Sequence, residues 1–267
     1  MSLLAHRRIA FLGGGNMAEA LVRGLLTSQI IPPEAIRVSD PNTERRVHFE
    51  QRYGVVADAD NESIAAWANL VVVAVKPQAM AQVLPSLRVV HELIVTIAAG
   101  VPARTLEAVT PGRVVRAMPN TPALVRAGAT AIAAGSRSTA ADMDAASALF
   151  SEVGLVVRVT ETALDAVTGL SGSGPAYVML AIEALVEGGV KMGLARPVAL
   201  TLAAQTVYGS AKLQLETGED PATLRERVTS PGGTTVAGLA SLESGGFRAA
   251  LIDAVAAATR RATELGR

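Results

Sequence analysis

The segment "RIAFLGGGNMAEALVRGLL", Arg8 to Leu26, decides how the chain begins to fold. A short apolar run leads directly into three glycines, and an amphipathic helical pattern starts immediately after them. Glycine loses more conformational freedom on folding than any other residue, so three in succession indicate a need for bare backbone. The order of strand, glycine turn and helix is typical of sites that bind phosphate groups through backbone amides.

The spacing within this turn is that of a dinucleotide-binding motif. Gly13, Gly15 and Ala18 match G-x-G-x-x-G/A. Gly13 permits the tight turn, Gly15 lets a pyrophosphate approach the backbone, and Ala18 lets the helix pack closely on the strand. Asn16 and Met17 complete the first helical turn, whose amides face the phosphates. The alternative is a glycine-rich turn in any parallel sheet.

The first half of the chain alternates short β-branched runs with helical patterns. Its predicted strands are "RIAFLG", "AIRVSD", "GVVA", "LVVVAV", "LIVTIAA", "RVVRAM", "GATAIAA" and "GLVVRV", and its predicted helices are 16–27, 43–53, 78–87 and 139–153. Continuous Val/Ile/Leu runs indicate strands buried on both faces, as in parallel sheets. The pattern predicts an α/β domain with a Rossmann-like, doubly wound parallel sheet over residues 1–160.

The strand signal disappears after Thr160. The remaining helical patterns, at 175–192, 197–215, 234–242 and 246–265, are rich in Ala and Leu. They predict an all-α domain over residues 161–267. Because these helices have more apolar surface than a small bundle covers by itself, we expect a homodimer or a larger homo-oligomer built from dimers.

Asp40 ends the second predicted strand, roughly 20 residues after the glycine turn, where an acidic side chain binds the hydroxyls of an adenosine ribose. That position favours NADH. Arg45 or Arg46, which follow closely, offer instead a positive charge for the 2′-phosphate of NADPH. Asp40 has a third interpretation as a helix cap in "DPNTE".

Two further segments follow predicted strands and should lie at the same edge of the sheet. Ala74, Val75, Lys76 and Pro77 come after "LVVVAV", and Ala98, Ala99 and Gly100 come at the end of "LIVTIAAG". Their small side chains leave room for a ribose and a nicotinamide. Lys76 is alternatively a solvated charge at the end of a strand.

Composition excludes several classes of function. The chain has 24 basic and 24 acidic side chains, so no net charge attracts it to nucleic acid or an anionic membrane. With no cysteine it has no disulfide, thiolate metal site or cysteine nucleophile, and we predict no bound metal. The start "MSLLAHRR" does not have the pattern of a signal peptide, and we expect a cytoplasmic protein.

Several stretches together resemble the pyrroline-5-carboxylate reductases. These are "FLGGGNMAEAL", "AVKPQ", "IAAG", "RAMPNTPA", "SGSGPAYV" and "RVTSPGGTTVAGLASLESGGF", and the last is similar to the family's signature region. They run in the family's order from Phe11 to Phe247. The resemblance implies a Rossmann domain, a helical dimerisation domain, and reduction of (S)-1-pyrroline-5-carboxylate to L-proline by NADPH or NADH.

The resemblance also implies roles for individual residues. The glycine turn, Asn61 and the segment from Ala74 to Pro77 would bind the dinucleotide, and Asn61 would lie near the adenosine ribose. Ala98, Ala99, Gly100, Met118 and Asn120 would surround the nicotinamide. Ser230, Gly232, Gly233, Thr234 and Thr235 would form the substrate loop, which in this family can serve the partner's site. Asp40 departs from members with a neutral residue there, which puts their preference for NADPH in question.

The residues of the substrate loop suit a carboxylate and a cyclic imine. In "SPGGTT" the glycines expose backbone amides at a helix start, where a carboxylate binds well. The hydroxyl of Thr235 is predicted to hydrogen-bond the ring nitrogen. His6, His48 and His91 all lie outside these stretches, so we expect no histidine acid or base. Each of these segments also has a purely structural interpretation. The loop is alternatively a turn with a helix N-cap, "SGSGPAYV" a capped helix start, and the region of Met118 core and turn.

Two rival functions remain open at this point. The β-hydroxyacid dehydrogenases have the same two-domain plan. They resemble one another in having a lysine on the first long helix of the second domain. Here "SGSGPAYVMLAIEALVEGG" contains no lysine before Lys191. A regulator that senses NADP without turnover would not need "SPGGTT".

Overall fold

The computed structural model describes residues 3–266, and eight strands within them form a single sheet. The strands are β1 Ile9–Leu12, β2 Ile36–Ser39, β3 Val56–Asp58, β4 Leu70–Val73, β5 Leu93–Thr96, β6 Arg113–Met118, β7 Gly128–Ala134 and β8 Gly154–Arg158. Their order across the sheet is β3-β2-β1-β4-β5-β6-β7-β8. All eight predicted strands are therefore confirmed, and so is the doubly wound α/β plan.

The predicted parallel sheet is confirmed except at one pair. β7 runs antiparallel to β6, with Met118 opposite Ala131, whereas every other neighbouring pair is parallel. The link between β6 and β7 covers only residues 119–127 and contains one 3₁₀ turn, Thr121–Val125. A link of that length cannot make the crossover that a parallel pair requires, so the chain returns in the opposite direction.

Twelve α-helices accompany the sheet within residues 3–266. They are α1 Asn16–Thr27, α2 Thr43–Tyr53, α3 Asn61–Trp67, α4 Met80–Val83, α5 Ala103–Glu107, α6 Ala140–Ser151, α7 Leu164–Val167, α8 Gly174–Lys191, α9 Arg196–Thr217, α10 Pro221–Arg227, α11 Thr234–Ser244 and α12 Phe247–Leu265. The bounds predicted for α1 and α2 are confirmed at both ends. The prediction of one helix over 78–87 is wrong: α4 lies between two 3₁₀ turns, and the second contains Pro85, which cannot continue an α-helix.

The core lies on both faces of the sheet. On β1, Ile9 and Phe11 belong to one apolar cluster, whereas Ala10 and Leu12 belong to another, and all four are fully buried. The first cluster contains residues of α1 and α6, and the second contains residues of α3 and α5. Burial on both faces explains why these strands are continuous apolar runs.

The chain divides into two compact units. The first comprises residues 1–173 together with 256–267, and the second comprises 174–255. The sheet and the last turns of α12 thus belong to the first unit. In the second, α8 and α9 pack on each other around Val186, Ala199 and Ala203. The boundary predicted after residue 160 lies between the end of β8 and this division, and it stays a prediction.

Candidate active site

Gly13 joins two of the predicted segments. Its φ of +100° is one that side chains with a Cβ rarely adopt. A Cβ there would lie 2.8 Å from the carbonyl oxygen of Ala74 and 2.9 Å from Cγ1 of Val75. Only glycine therefore allows the turn after β1 to lie against the segment after β4.

Gly15 has the opposite environment. Its φ of −72° suits any residue, and no heavy atom of the described chain lies within 4 Å of a Cβ built there. It is the N-cap of α1, and no side chain from residues 3–266 caps this helix. By contrast, Asn42 caps α2 and Thr139 caps α6. The bare face of Gly15 and the amides of the first turn of α1 therefore suit an anionic ligand.

Asp40 binds the glycine turn. Its Oδ2 accepts a hydrogen bond from the Gly14 amide at 2.8 Å, and its Oδ1 accepts one from the Asn42 amide at 2.8 Å. The cap of α2 is Asn42, so the interpretation of Asp40 as that cap is wrong. Each carboxylate oxygen retains further acceptor capacity beside the turn.

Arg45 and Arg46 are both engaged with the protein. Arg45 Nε donates to the carbonyl oxygen of Gly14 at 2.7 Å, and its Nη2 pairs with Glu19 at 2.7 Å. Arg46 Nη1 donates to the carbonyl oxygens of Asp40 and Pro41 at 2.8 and 3.0 Å. The sequence interpretation of these arginines as 2′-phosphate ligands overlooked these carbonyl partners.

Glu19, in the first turn of α1, is the centre of a polar cluster. Its carboxylate also binds His48 Nε2 at 2.8 Å and the Tyr53 hydroxyl at 2.9 Å. Burial alone would raise the pKa of Glu19, but the hydrogen bonds from Arg45, His48 and Tyr53 outweigh it and lower the pKa from 4.5 to about 2. Glu19 is therefore ionised throughout the neutral range. Nothing in the local sequence pattern identified it as part of the site.

A cavity of about 320 Å³ opens beside the glycine turn. It brings together seven of the predicted cofactor residues: Gly13, Gly15, Asp40, Asn61, Ala74, Val75 and Lys76. Asn61 Oδ1 accepts a hydrogen bond from the buried Ser39 hydroxyl at 2.6 Å, which orients the amide. Gln82 and Val83 of α4 line the same cavity and were not predicted, because the motif "AVKPQ" ends before them.

The residues predicted around the nicotinamide have other contacts in the first unit. A Cβ on Gly100 would lie 3.2 Å from the amide nitrogen of Gly266, so the C-terminal turn packs on this glycine, whose φ is +76°. Asn120 Nδ2 donates to the carbonyl oxygen of Ser171 at 3.0 Å, and its Oδ1 accepts from the Ala129 amide at 2.9 Å. Met118 packs with Ala131 and Leu164. Their role in binding a nicotinamide stays a prediction.

The predicted substrate loop lies in the second unit. Gly232 has a φ of +69°, and the Gly233 amide donates to the carbonyl oxygen of Ser230 at 2.9 Å. Gly233 is the N-cap of α11, which no side chain from residues 3–266 caps. Thr234 is exposed and Thr235 is half-buried in the first turn of this helix. The loop therefore presents bare amides at a helix start, as the turn before α1 does.

Comparison with known proteins decides the family. The chain is 48% identical to a pyrroline-5-carboxylate reductase of Synechocystis, over 97% of this chain and 98% of that protein. It is also similar to the solved structure of a pyrroline-5-carboxylate reductase from Coxiella burnetii, with a TM-score of 0.91 and 39% identity over 98% of this chain and 99% of the other. This chain belongs to the pyrroline-5-carboxylate reductase family.

Two family models agree with this assignment. Residues 161–265 match pyrroline-5-carboxylate reductase dimerisation, and residues 8–100 match the NADP oxidoreductase, coenzyme F420-dependent, family. A third similar structure, the Plasmodium falciparum pyrroline carboxylate reductase with NADP bound, has a TM-score of 0.86 and 31% identity, and the match covers 98% of this chain and 99% of that one. The chain is thus a pyrroline-5-carboxylate reductase that uses NAD(P)H to reduce a C=N bond and form L-proline, and its dimerisation domain indicates a homo-oligomer.

A dinucleotide fits the first unit of this reductase. Its pyrophosphate requires a turn without side chains and unoccupied amides, which Gly15 and the start of α1 provide. Its adenosine ribose requires polar groups at the ends of the neighbouring strands, where Asp40 after β2 and Asn61 after β3 line the cavity. The family membership favours reduction of pyrroline-5-carboxylate over both rival functions, a sensor without turnover and a hydroxyacid dehydrogenase.

Proposed function

We propose that this reductase binds NAD(P)H at the glycine turn of its first unit and the carboxylate of (S)-1-pyrroline-5-carboxylate at the "SPGGTT" loop. The observation that carries the proposal is the uncapped start of α1, reached through Gly13 and Gly15 at the carboxyl ends of parallel strands. In doubly wound sheets that edge is where dinucleotides bind. When bound, the dinucleotide supplies the hydride.

Residues of the first unit would bind the dinucleotide and orient it. Gly15, Asn16, Met17 and Ala18 would present amides to the pyrophosphate, and Asp40 and Asn61 would bind the adenosine ribose. Ala74 to Pro77 and Ala98 to Gly100 would border the nicotinamide end, with Met118 and Asn120 beside them. Lys76 is exposed, and its positive charge suits a dinucleotide phosphate. Orienting two reactants in this way is worth several kcal/mol of the barrier, of the order of 7–11 kcal/mol in the best cases.

The substrate loop would position the cyclic imine. The amides of the first turn of α11, beside the bare backbone of Gly232 and Gly233, would bind the carboxylate together with the hydroxyls of Ser230 and Thr234. Thr235 would direct its hydroxyl to the ring nitrogen. The ring nitrogen of a cyclic imine can arrive already protonated, so hydride transfer does not depend on a histidine as proton donor.

Steady oxidation of NAD(P)H tests the proposal directly. We expect turnover with pyrroline-5-carboxylate and none without it or with a 3-hydroxyacid in the reverse direction. Turnover with the hydroxyacid alone would contradict the proposal, and binding of the dinucleotide without turnover would favour a sensor. Wild-type protein and Thr235→Ala, measured together, separate turnover at this site from a contaminating reductase.

We further propose that the assembly is built from homodimers formed through the second unit. Its helices expose large apolar side chains, such as Leu180 at 67%, Leu202 at 54% and Leu215 at 72%. Apolar surface on this scale is typical of a subunit interface. Sedimentation at micromolar concentration should give a dimer or a multiple of it, and a stable, active monomer would contradict this.

Part of this apolar surface raises the question of whether the protein inserts into a membrane. Among residues 3–266 one helical run, Glu161–Lys191, has the length and mean hydropathy, 1.2, of a possible membrane span. It is interrupted by a π-helical turn at Thr168–Gly172, and Glu183 and Glu187 are exposed on α8. We propose that a second copy covers this run and that the enzyme acts in the cytoplasm. Recovery of the dimer from the supernatant of lysed cells without detergent would support it, and recovery only with detergent would contradict it.

A further inference from the structure

Both hydrogen-bonding groups of Gly14 are held by charged side chains from outside the turn. Its amide donates to Asp40 Oδ2 at 2.8 Å, and its carbonyl oxygen accepts from Arg45 Nε at 2.7 Å. The Gly13 amide in addition donates to the carbonyl oxygen of Ser39 at 2.8 Å. The peptide groups just before Gly15 are therefore fixed from the second strand and the second helix.

Arg45 is itself fixed by two further contacts. Glu19 binds its Nη2 at 2.7 Å, and the guanidinium lies over the ring of Phe49, 5.2 Å from its centroid. Glu19 in turn binds His48 and Tyr53, which lie on α2 with Arg45. The carboxylate of α1 thus gathers three side chains of α2, and one of them reaches the turn.

The geometry points to Arg45, oriented by Glu19, as a positioning residue of the phosphate-binding turn rather than a ligand of the cofactor. By holding the Gly14 carbonyl, Arg45 keeps the following amides, from Gly15 into α1, in place for the pyrophosphate before the dinucleotide arrives. Preorganisation of this kind improves affinity by reducing the cost of ordering on binding. The inference rests on the proposed cofactor site.

Substitutions at Arg45 separate positioning from direct contact. We expect Arg45→Met to raise the Kd of both NADH and NADPH by about tenfold, because one charge-assisted hydrogen bond to the turn is lost. The KM for the dinucleotide should rise with it, while kcat at saturating cofactor stays within about twofold. Arg45→Lys, which can donate to Gly14 or Glu19 but not hold both in the same plane, should give an intermediate Kd.

Glu19→Gln tests whether the carboxylate acts through Arg45. It keeps the size and the acceptor oxygen but not the charge, and we expect the Kd of both dinucleotides to rise about three- to fivefold. The double variant Glu19→Gln/Arg45→Met should bind no more weakly than Arg45→Met alone, since the two residues act in series. Arg52→Met removes a guanidinium from an exposed position of the same helix and should leave both Kd values unchanged.

The outcomes that overturn the inference are distinct. A loss confined to NADPH would make Arg45 a 2′-phosphate ligand, and unchanged affinity for both dinucleotides in a folded Arg45→Met protein would remove its role in the turn. If that variant fails to fold, unchanged affinity in Arg45→Lys and Glu19→Gln overturns it equally. Gly15→Val tests the cofactor site itself. If this variant binds the dinucleotide as tightly as the wild type, the proposed cofactor site is wrong. If it loses affinity while the Arg45 variants do not, only the positioning role of Arg45 is wrong.

Discussion

Gly13 and Ala74 approach so closely that a Cβ on the glycine would lie 2.8 Å from the alanine carbonyl oxygen. This contact joins the turn after β1 to the segment after β4, and the φ of Gly13 is +100°. We therefore predict that Gly13→Ala lowers the free energy of unfolding by about 2–4 kcal/mol, from backbone strain and overpacking together. Urea denaturation measures it. Gly15→Ala is the matched control and should not lower stability, because its Cβ meets open space; equal losses in the two variants would contradict the assignment.

Gly15→Val should affect the ligand and leave the fold intact. The described chain leaves the Cβ position free within 4 Å, so the protein tolerates the side chain, whereas a pyrophosphate on the turn would meet it. We expect cofactor affinity to fall by at least tenfold, measured by calorimetry, with the melting temperature within a few degrees of the wild type. Wild-type affinity in this variant would rule out the turn as the phosphate site.

Asp40 should discriminate between the two dinucleotides. Its carboxylate lies beside the turn, and its charge repels a 2′-phosphate. We predict that Asp40→Ser shifts the ratio of kcat/KM toward NADPH by roughly tenfold, equivalent to about 1.4 kcal/mol. Asp40→Asn removes the charge and keeps one acceptor oxygen for a backbone amide, so a similar shift there would assign the effect to charge. A wild type that already strongly prefers NADPH, with no change in either variant, would contradict the prediction.

Thr235, half-buried in the first turn of α11, tests the substrate loop. A hydrogen bond to a charged group contributes roughly 1.5–3 kcal/mol, so Thr235→Ala should lower kcat/KM for pyrroline-5-carboxylate by about ten- to a hundredfold. Thr235→Ser keeps the hydroxyl and should retain most of the activity. Equal damage from both substitutions would implicate the methyl group and packing. A large loss of dinucleotide affinity would assign the loop to the cofactor.

Glu19 should make the fold sensitive to acid. Its pKa is lowered from 4.5 to about 2 in the folded protein, because hydrogen bonds from Arg45, His48 and Tyr53 outweigh its burial. Between those pH values the unfolded chain binds the proton more readily, so this stabilisation is complete above pH 4.5 and is lost as the pH falls toward 2. After allowance for solvent screening we expect Glu19→Gln to lower stability by about 1–2 kcal/mol at pH 7. The difference from wild type should shrink on acidification in denaturant titrations, and a difference independent of pH would contradict the role of the charge.

The sequence by itself determined the elements and the cofactor turn. All eight strands, both ends of α1 and α2, and the bare turn at Gly13 and Gly15 follow from local properties: β-branched runs, helical periodicity and the absence of a Cβ. These signals act within a few residues of one another, so they can be read from neighbours in the chain. The ordered motifs also indicated the family, which the comparisons confirm.

Only the tertiary structure decided which residues distant in sequence contact one another. The antiparallel pairing of β7 with β6 appears only once the two strands lie side by side in the sheet, and the segment after β4 forms short turns instead of one helix. Arg45 binds Gly14, Asn120 binds Ser171, and Gly100 packs on Gly266, each across a long separation in sequence. A side chain with several donors has many possible partners in a sequence, and the packing of α1 against α2 and the sheet selects one of them. For that reason the glycine turn was predictable from its own residues, whereas the side chains that hold it were not.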